Sequence, residues 1–227
     1  MNQNGYQYPP LGVEVRGPYA CFTRPELKSE RVSYPVMTPS AAKGILEAIY
    51  WKPEFKYVVT TIEVLRPIRW ASIRRNEVTS MITLDWVRKA MTDATVRFDV
   101  EDDRDQRNTV FLRDVAYRIH AQVRPLPHSG HPEATYREQF HRRVDKGACF
   151  SQPFLGTREC SADFSKVTGE RTEDVTEDIG LMLHGIGYDP AGETYTWFDA
   201  RLENGILRVP GFGMELAAAA TQPGRGA

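Results

Sequence analysis

The sequence predicts an α+β fold: a ferredoxin-like (RRM-like) β-α-β-β-α-β domain with a small C-terminal antiparallel β-sheet extension. Its first observation is a pair of helical patterns, near 38–49 and 132–146, each set between strand-like runs. The second is the order of those runs, at 11–16, 56–65, 109–123 and 158–167. Strand, helix, strand, strand, helix, strand is the split unit of that fold. The third is a tail of short alternating runs over 180–209, broken by turn residues.

Each element follows from local chemistry. Leu11, Val13 and Val15 alternate with Gly12, Glu14 and Arg16, which predicts a strand closed by a Gly17-Pro18-Tyr19 turn. Residues 23–36 are polar and broken, a loop. Thr38 can cap a helix with Pro39 in its first turn. Ala42, Ile45, Leu46 and Ile49 then form one apolar stripe, and Pro53 bars continuation. KYVVTTIEVL (56–65) is β-branched and predicts the second strand. Residues 83–91 read as a short helix or an insertion, and the acidic run near 101 as an exposed loop. TVFLRDVAYRIHAQV (109–123) reads as a long strand ended by Pro125 and Pro127. Pro132 opens a helix carrying Tyr136, Phe140 and Val144, and Gly147 closes it. Strands are predicted at 180–188, 194–199 and 202–209, with a turn at Asn204-Gly205. Residues 1–168 are therefore expected to form the ferredoxin-like domain, 169–216 the β-rich extension and 217–227 a disordered tail.

Composition narrows the function. Hydrophobic residues make up 41 % of 227, enough for a core. The first residues, MNQNGYQYPP, have no apolar core, so no secretory signal is expected, and no apolar run reaches membrane-spanning length. Three cysteines, Cys21, Cys149 and Cys160, suit a reduced cytoplasm. The net charge of −1 hides segregation: outside the acidic runs 99–105 and 170–178 there are 27 basic and 20 acidic residues, a net of +7. Basic residues cluster at Arg66, Arg69, Arg74 and Arg75, and again at Arg137, Arg142, Arg143 and Lys146. Such clusters suit a polyanion, and also suit solvated helix faces.

No phosphate-binding glycine loop, HExxH, GxSxG or GxGxxG is present. His128-x-x-His131 with Cys149 and Cys160 lacks the tight spacing of a zinc site, so no metal or cofactor is expected. RNA carries its own nucleophile, the 2′-hydroxyl, so a metal-free site needs only positioned Tyr, His, Lys and Arg groups. Tyr50 sits on the edge of its helix, on the same line as Lys43. Periodicity allows it either to seal the core rim or to present its hydroxyl at the surface. His141 follows Arg137 by four, so it is either a base kept neutral by arginines or a surface histidine.

The stretch GPYACFTRPELKSERVSYPVMTPSAAKGILEAIYWKP (17–53) resembles the N-terminal signature of the Cas-five family of CRISPR-associated proteins, in its subtype I-C (Dvulg) form. TVFLRDVAYRIHAQV, YREQFHRRVDKGACFSQPFLGTREC and GLMLHGIGYD are similar to later stretches of the same subtype. The resemblance spans Leu11 to about Val209. It implies a metal-independent endoribonuclease that cuts precursor CRISPR RNA in the repeat hairpin and leaves a 2′,3′-cyclic phosphate. It also implies a place on the guide's 5′ handle, beside the backbone and large subunits of Cascade, in antiviral defence. The family's catalytic tyrosine falls on Tyr50. Its Lys-His pair falls on Thr135 and Tyr136, which departs from the pattern and passes acid-base work to Tyr136 or His141, with Arg137, Arg142 and Arg143 as helpers. Arg24, Lys28, Lys43, Arg74, Arg75, Arg137, Arg142, Arg143 and Lys146 are the expected RNA contacts. The departure leaves room for a second reading, a handle-binding Cascade subunit that does not cut. Duplex DNA is a third partner that the same cations could attract.

Overall fold

The computed structural model describes residues 6–27, 29–190 and 192–215. The chain runs β1 (Leu11–Ala20), β2 (Arg31–Val32), α1 (Pro39–Ile49), β3 (Phe55–Val64), β4 (Trp70–Val78), α2 (Leu84–Thr92), β5 (Arg104–Pro125), α3 (Glu133–Lys146), β6 (Asp163–Ser165), β7 (Glu177–Asp189), β8 (Gly192–Glu203), β9 (Ile206–Arg208) and β10 (Met214–Glu215). The fold is α+β, a large, mainly antiparallel sheet with few helices.

The 22-residue β5 is the spine of that sheet. Its second half lies between β1, with Leu11 opposite Ala121, and β3, with Phe55 opposite Pro125. Its first half runs on beyond that sheet and pairs with β4, from Trp70 opposite Leu112 to Val78 opposite Arg104. The path of neighbours is β10-β8-β9-β3-β5-β1-β6. The expected C-terminal strands are therefore present, and they extend the same sheet through β9 beside β3.

The two long helices cover one face. Thr38 Oγ1 accepts from the Ala41 amide at 3.3 Å and starts α1. Ala42, Ile45, Leu46 and Ile49 are all buried. α1 packs on β3, α3 packs on β5, and the helices touch. Phe55, Tyr57, Tyr136, Phe140 and Val144 fill the space between them. Gly147, at φ 61°, ends α3 in the left-handed conformation that favours glycine.

The opposite face holds a buried charge network. Glu14, on the side of β1 that alternation assigns to solvent, is 0 % exposed. Its carboxylate accepts from Arg118 at 2.8 Å and from the Thr168 hydroxyl at 2.9 Å. Arg118 also pairs with Glu63 and donates to the Glu170 carbonyl. The start of the acidic run at Glu170 lies over this face, its carboxylate paired with Arg16 and Arg66.

Three local expectations are corrected. No turn forms at Gly17-Pro18-Tyr19: β1 runs on to Ala20, and the ladder skips Pro18, which lacks an N–H, opposite Asp114 at φ 53°. β6 is much shorter than the expected 158–167, because residues 154–161 turn back under the end of β1. Gly156, at φ 89°, permits that approach, since a Cβ there would lie 2.0 Å from the Cys21 carbonyl oxygen. The helix expected near 83–91 is present as α2, but β4 was not expected, and the strand expected to begin at 109 begins at Arg104 and pairs with β4 to form a hairpin arm. The turn at Asn204-Gly205 is present, both residues at positive φ. The tail expected to be disordered, 217–227, lies outside the described residues.

Candidate active site

The end of α1 is fixed by tertiary partners. Tyr50 leaves the helix in an extended conformation, φ −154°, although its amide still donates to the Leu46 carbonyl. The last carbonyls of a helix lack partners within it. Here the Ala48 carbonyl accepts from the Phe150 and Ser151 amides, Ile49 from Arg143 at 3.3 Å, and Tyr50 from the Tyr57 hydroxyl at 2.8 Å. The backbone that carries Tyr50 is therefore held at every group.

The Tyr50 side chain is mostly buried, 6 % exposed. Its ring lies in a row with Phe55, at 5.7 Å between centroids, and Phe55 continues to Tyr136 at 4.8 Å. The Arg143 guanidinium stands over the Tyr50 ring, 5.5 Å from its centroid. The Tyr50 hydroxyl has no protein partner among the described residues, yet it is not sealed from solvent. Burial pushes this phenol above its ordinary range, Tyr136 and Glu54 add to the shift, and Arg143 and Arg142 oppose it. At neutral pH Tyr50 is a neutral hydrogen-bond donor.

Tyr136 is nearly fully buried and its hydroxyl is already engaged. It donates to Glu54 Oε2 at 2.7 Å and lies 2.7 Å from Ser129 Oγ. The cations expected to assist it are elsewhere: Arg142 and Arg143 stand toward Tyr50, and Arg137 turns to Tyr8 and the Pro9 carbonyl. Burial raises the Tyr136 phenol, the Ser129 hydrogen bond opposes it, and the Glu54 carboxylate raises it again. This geometry makes Tyr136 a fixed donor, ill suited to accept a proton near neutrality.

His141 does not join the cluster. Two residues along a helix turn about 200°, so His141 points about 160° away from Arg143 and its Tyr50 contact. Partial burial lowers the imidazole, and Arg137 lowers it further, with Asp145 opposing. The loop before α3 brings other imidazoles instead. His131 packs edge-on against the Tyr136 ring at 6.2 Å. His128 Nε2 lies 3.0 Å from the Pro53 carbonyl oxygen. A carbonyl only accepts, so Nε2 donates in this bond. Sequence reasoning weighed these histidines only as zinc ligands and passed over Glu54 and Ser129. The signal available was Glu54 directly after Pro53; the meeting of the two loops is long-range.

The expected RNA contacts fall in separate places. Arg142, Arg143 and Lys146 stand on α3 beside the Tyr50 end. Arg137 does not belong with them: it is 8 % exposed and held by Glu133, Pro9 and Tyr8. Lys43 pairs with Glu47 in a groove of about 440 Å³ between α1 and β7, shared with His184 and Tyr188. Arg24 lies over Tyr34 and pairs with Glu26. Arg74 is exposed on the arm, and Arg75 pairs with Glu77 and Glu159. Lys28 lies outside the described residues. Among the described residues no group of three or more His, Cys, Asp or Glu side chains is arranged for a metal, and no helix is long and apolar enough to cross a membrane.

Comparison with known proteins gives consistent matches. The family model described as CRISPR-associated protein (Cas_Cas5), in its Cas5d form, matches residues 11–210. A protein of Mannheimia succiniciproducens named CRISPR pre-crRNA endoribonuclease Cas5d is 44 % identical, over 89 % of this chain and 95 % of its own length. A protein of Thermus thermophilus with the same name is 42 % identical, over 88 % and 91 %. Among solved structures, one titled as a CRISPR-associated protein shares the fold at a TM-score of 0.65 and 24 % identity, covering 91 % of this chain and 95 % of that one.

Proposed function

The chain belongs to the CRISPR-associated Cas5 family, subtype I-C, and from that premise we propose that it is a metal-independent endoribonuclease that cuts precursor CRISPR RNA within the repeat. One observation carries the reading beyond the family: an unpartnered tyrosine hydroxyl held at a fixed helix end, beneath an arginine.

The reaction moves one bond. The 2′-oxygen loses its proton and attacks the adjacent phosphorus. The P–O5′ bond breaks and the 5′-oxygen takes up a proton. A 2′,3′-cyclic phosphate and a 5′-hydroxyl result. Tyr50, neutral at working pH, donates to a phosphoryl oxygen or to the leaving 5′-oxygen. Arg143 and Arg142 offset the charge that grows on the phosphorane. Tyr136, Glu54 and Ser129 hold the loop at 128–131 against Phe55. His128 or His131 then supplies the base that the family's Lys-His pair provides elsewhere, imidazole being the side chain that changes charge nearest neutrality. After cutting, the chain stays on the 5′ handle as a subunit of the type I-C Cascade.

The ferredoxin-like reading of residues 1–168 is supported by the neighbour order β6-β1-β5-β3, antiparallel throughout, with α1 and α3 on one face. Residues 169–216 are then the β-rich extension.

The test is incubation with the cognate repeat RNA in EDTA, beside the same RNA with one 2′-deoxy nucleotide at the cut. Cutting of the first alone is expected. Equal cutting of both, or cutting that EDTA stops, would overturn the mechanism. Tight binding without cutting would favour the handle-holding subunit.

A further inference from the structure

A second cavity lies at the other end of β5, under the root of the hairpin arm. Its volume is about 260 Å³, and its walls include Tyr19, Ile73, Phe111, Cys21 and Cys160. Drug-sized sites run from about 300 to 1,000 Å³, so this one suits a single ring system. Tyr19 and Phe111 meet edge to face, centroids 5.1 Å apart, and Tyr19 is 50 % exposed.

Two of the polar wall residues each carry a buried polar atom with no hydrogen-bond partner among the described residues. Thr109, 6 % exposed, lines the cavity, and its Oγ1 is buried with no hydrogen bond. Arg75 lines it too, and its Nε is buried and unpaired, although its terminal nitrogens pair with Glu77 and Glu159. Buried polar groups are nearly always satisfied, and an orphan costs free energy in the absence of a partner. The two atoms ask for an acceptor opposite Arg75 and a donor or acceptor opposite Thr109. Arg31, another wall residue, is tethered by Glu159 at 3.6 Å.

We propose that this cavity receives one unstacked nucleobase of the bound RNA, its ring against Tyr19 and Phe111 and its edge hydrogen-bonded to Thr109 Oγ1 and Arg75 Nε. The inference rests on the RNA reading above. Proteins read single-stranded RNA by splaying a base onto an aromatic side chain and bonding its edge. A base has apolar faces and neighbouring polar groups on one edge, as these walls require. An aliphatic or phenyl side chain of a protein partner would leave both orphans unpaired. Glu159 is a wall residue too and pairs with both Arg31 and Arg75, so the pocket takes the base and not its phosphate.

The pocket is remote from Tyr50. From Phe111 to Pro125, β5 spans about 45 Å at its usual rise, and Pro125 pairs with Phe55 beside Tyr50. The pocket therefore anchors RNA and takes no part in the chemistry.

The test is a binding scan of the full chain with repeat RNAs carrying one abasic nucleotide at successive positions. In the wild type, one position should weaken binding about tenfold, as loss of a stacked base does. In Tyr19→Ala and in Thr109→Val, the intact RNA should bind about as weakly as that abasic RNA does to the wild type, and the abasic change should add less than about twofold. Tyr19 is half-exposed, so its variant reports even where Thr109→Val fails to fold. Wild-type affinity with the full abasic penalty in Tyr19→Ala would overturn the pocket alone. Unchanged RNA binding with lost Cascade assembly would overturn it in favour of a protein side chain. A wild type that binds no repeat RNA would overturn the RNA reading itself, and the pocket with it.

Discussion

The two halves of β5 differ in what surrounds them. The second half is flanked by β1 and β3 and covered by α3, and residues 115–119 are all buried. The first half has β4 along its length, touches β2 only at Thr109 and Val110, and is exposed over most of 104–108. The difference teaches where this fold spends its packing. The proposed cleavage uses the Tyr50 phenol with the Arg143 and Arg142 guanidiniums, and Tyr50 stands at the packed end. The arm carries Arg74, Arg75 and a half-open cavity, features suited to contact.

Substitutions can break this contrast, and the largest effect should come from the packed half. Phe140→Ala empties a site that is 0 % exposed and should cost about 3–5 kcal/mol, read by urea unfolding. A loss below about 1 kcal/mol would mean that the end holding Tyr50 is looser than its contacts imply.

Glu14→Ala leaves Arg118 with Glu63 and the Glu170 carbonyl but strips it of its most buried carboxylate, and should cost about 1–3 kcal/mol at pH 7. Burial alone would raise the Glu14 carboxyl, but Arg118, Thr168 and Arg16 together hold it below its ordinary value. A depressed carboxylate stabilises the fold above its unfolded pKa, and that stability is lost as pH falls through the folded value. Wild-type melting temperature should therefore drop steeply as acid is added below about pH 4. Glu14→Gln should start lower at pH 7 and show a flatter acid slope. Parallel slopes would remove Glu14 from the acid response.

Arg142→Ala should weaken repeat-RNA binding several-fold and reduce the log–log salt slope by about 1, without reference to sequence. An unchanged slope would show that this end of α3 does not meet phosphate. The smallest effect belongs to the arm: Val78, 43 % exposed, should tolerate alanine within about 0.5 kcal/mol.

The same contrast explains what the sequence could say. α1 was legible from Thr38-Pro39 and one stripe, because both signals are local and one face is buried. The turn at Asn204-Gly205 was legible for the same reason. β4 was not: both its faces are largely exposed, so no alternation marks an inside. Glu14 reads as a solvent-facing strand residue, and only the return of residues 163–170, distant in sequence, buries it. At the candidate site the position of Tyr50 could be read from family resemblance. The partners Glu54, Ser129, His128 and His131 could not, because they come from two loops that meet only in the folded chain.

The central claim is that the Tyr50 hydroxyl serves the transition state. Tyr50→Phe removes one oxygen that has no protein partner among the described residues, so the fold should be untouched. The decisive measurement is single-turnover cutting and equilibrium binding of the repeat RNA by this variant. Cutting should slow by at least about 100-fold while affinity stays within about twofold. Wild-type cutting by Tyr50→Phe would contradict the claim and leave the phenol as packing at the end of α1.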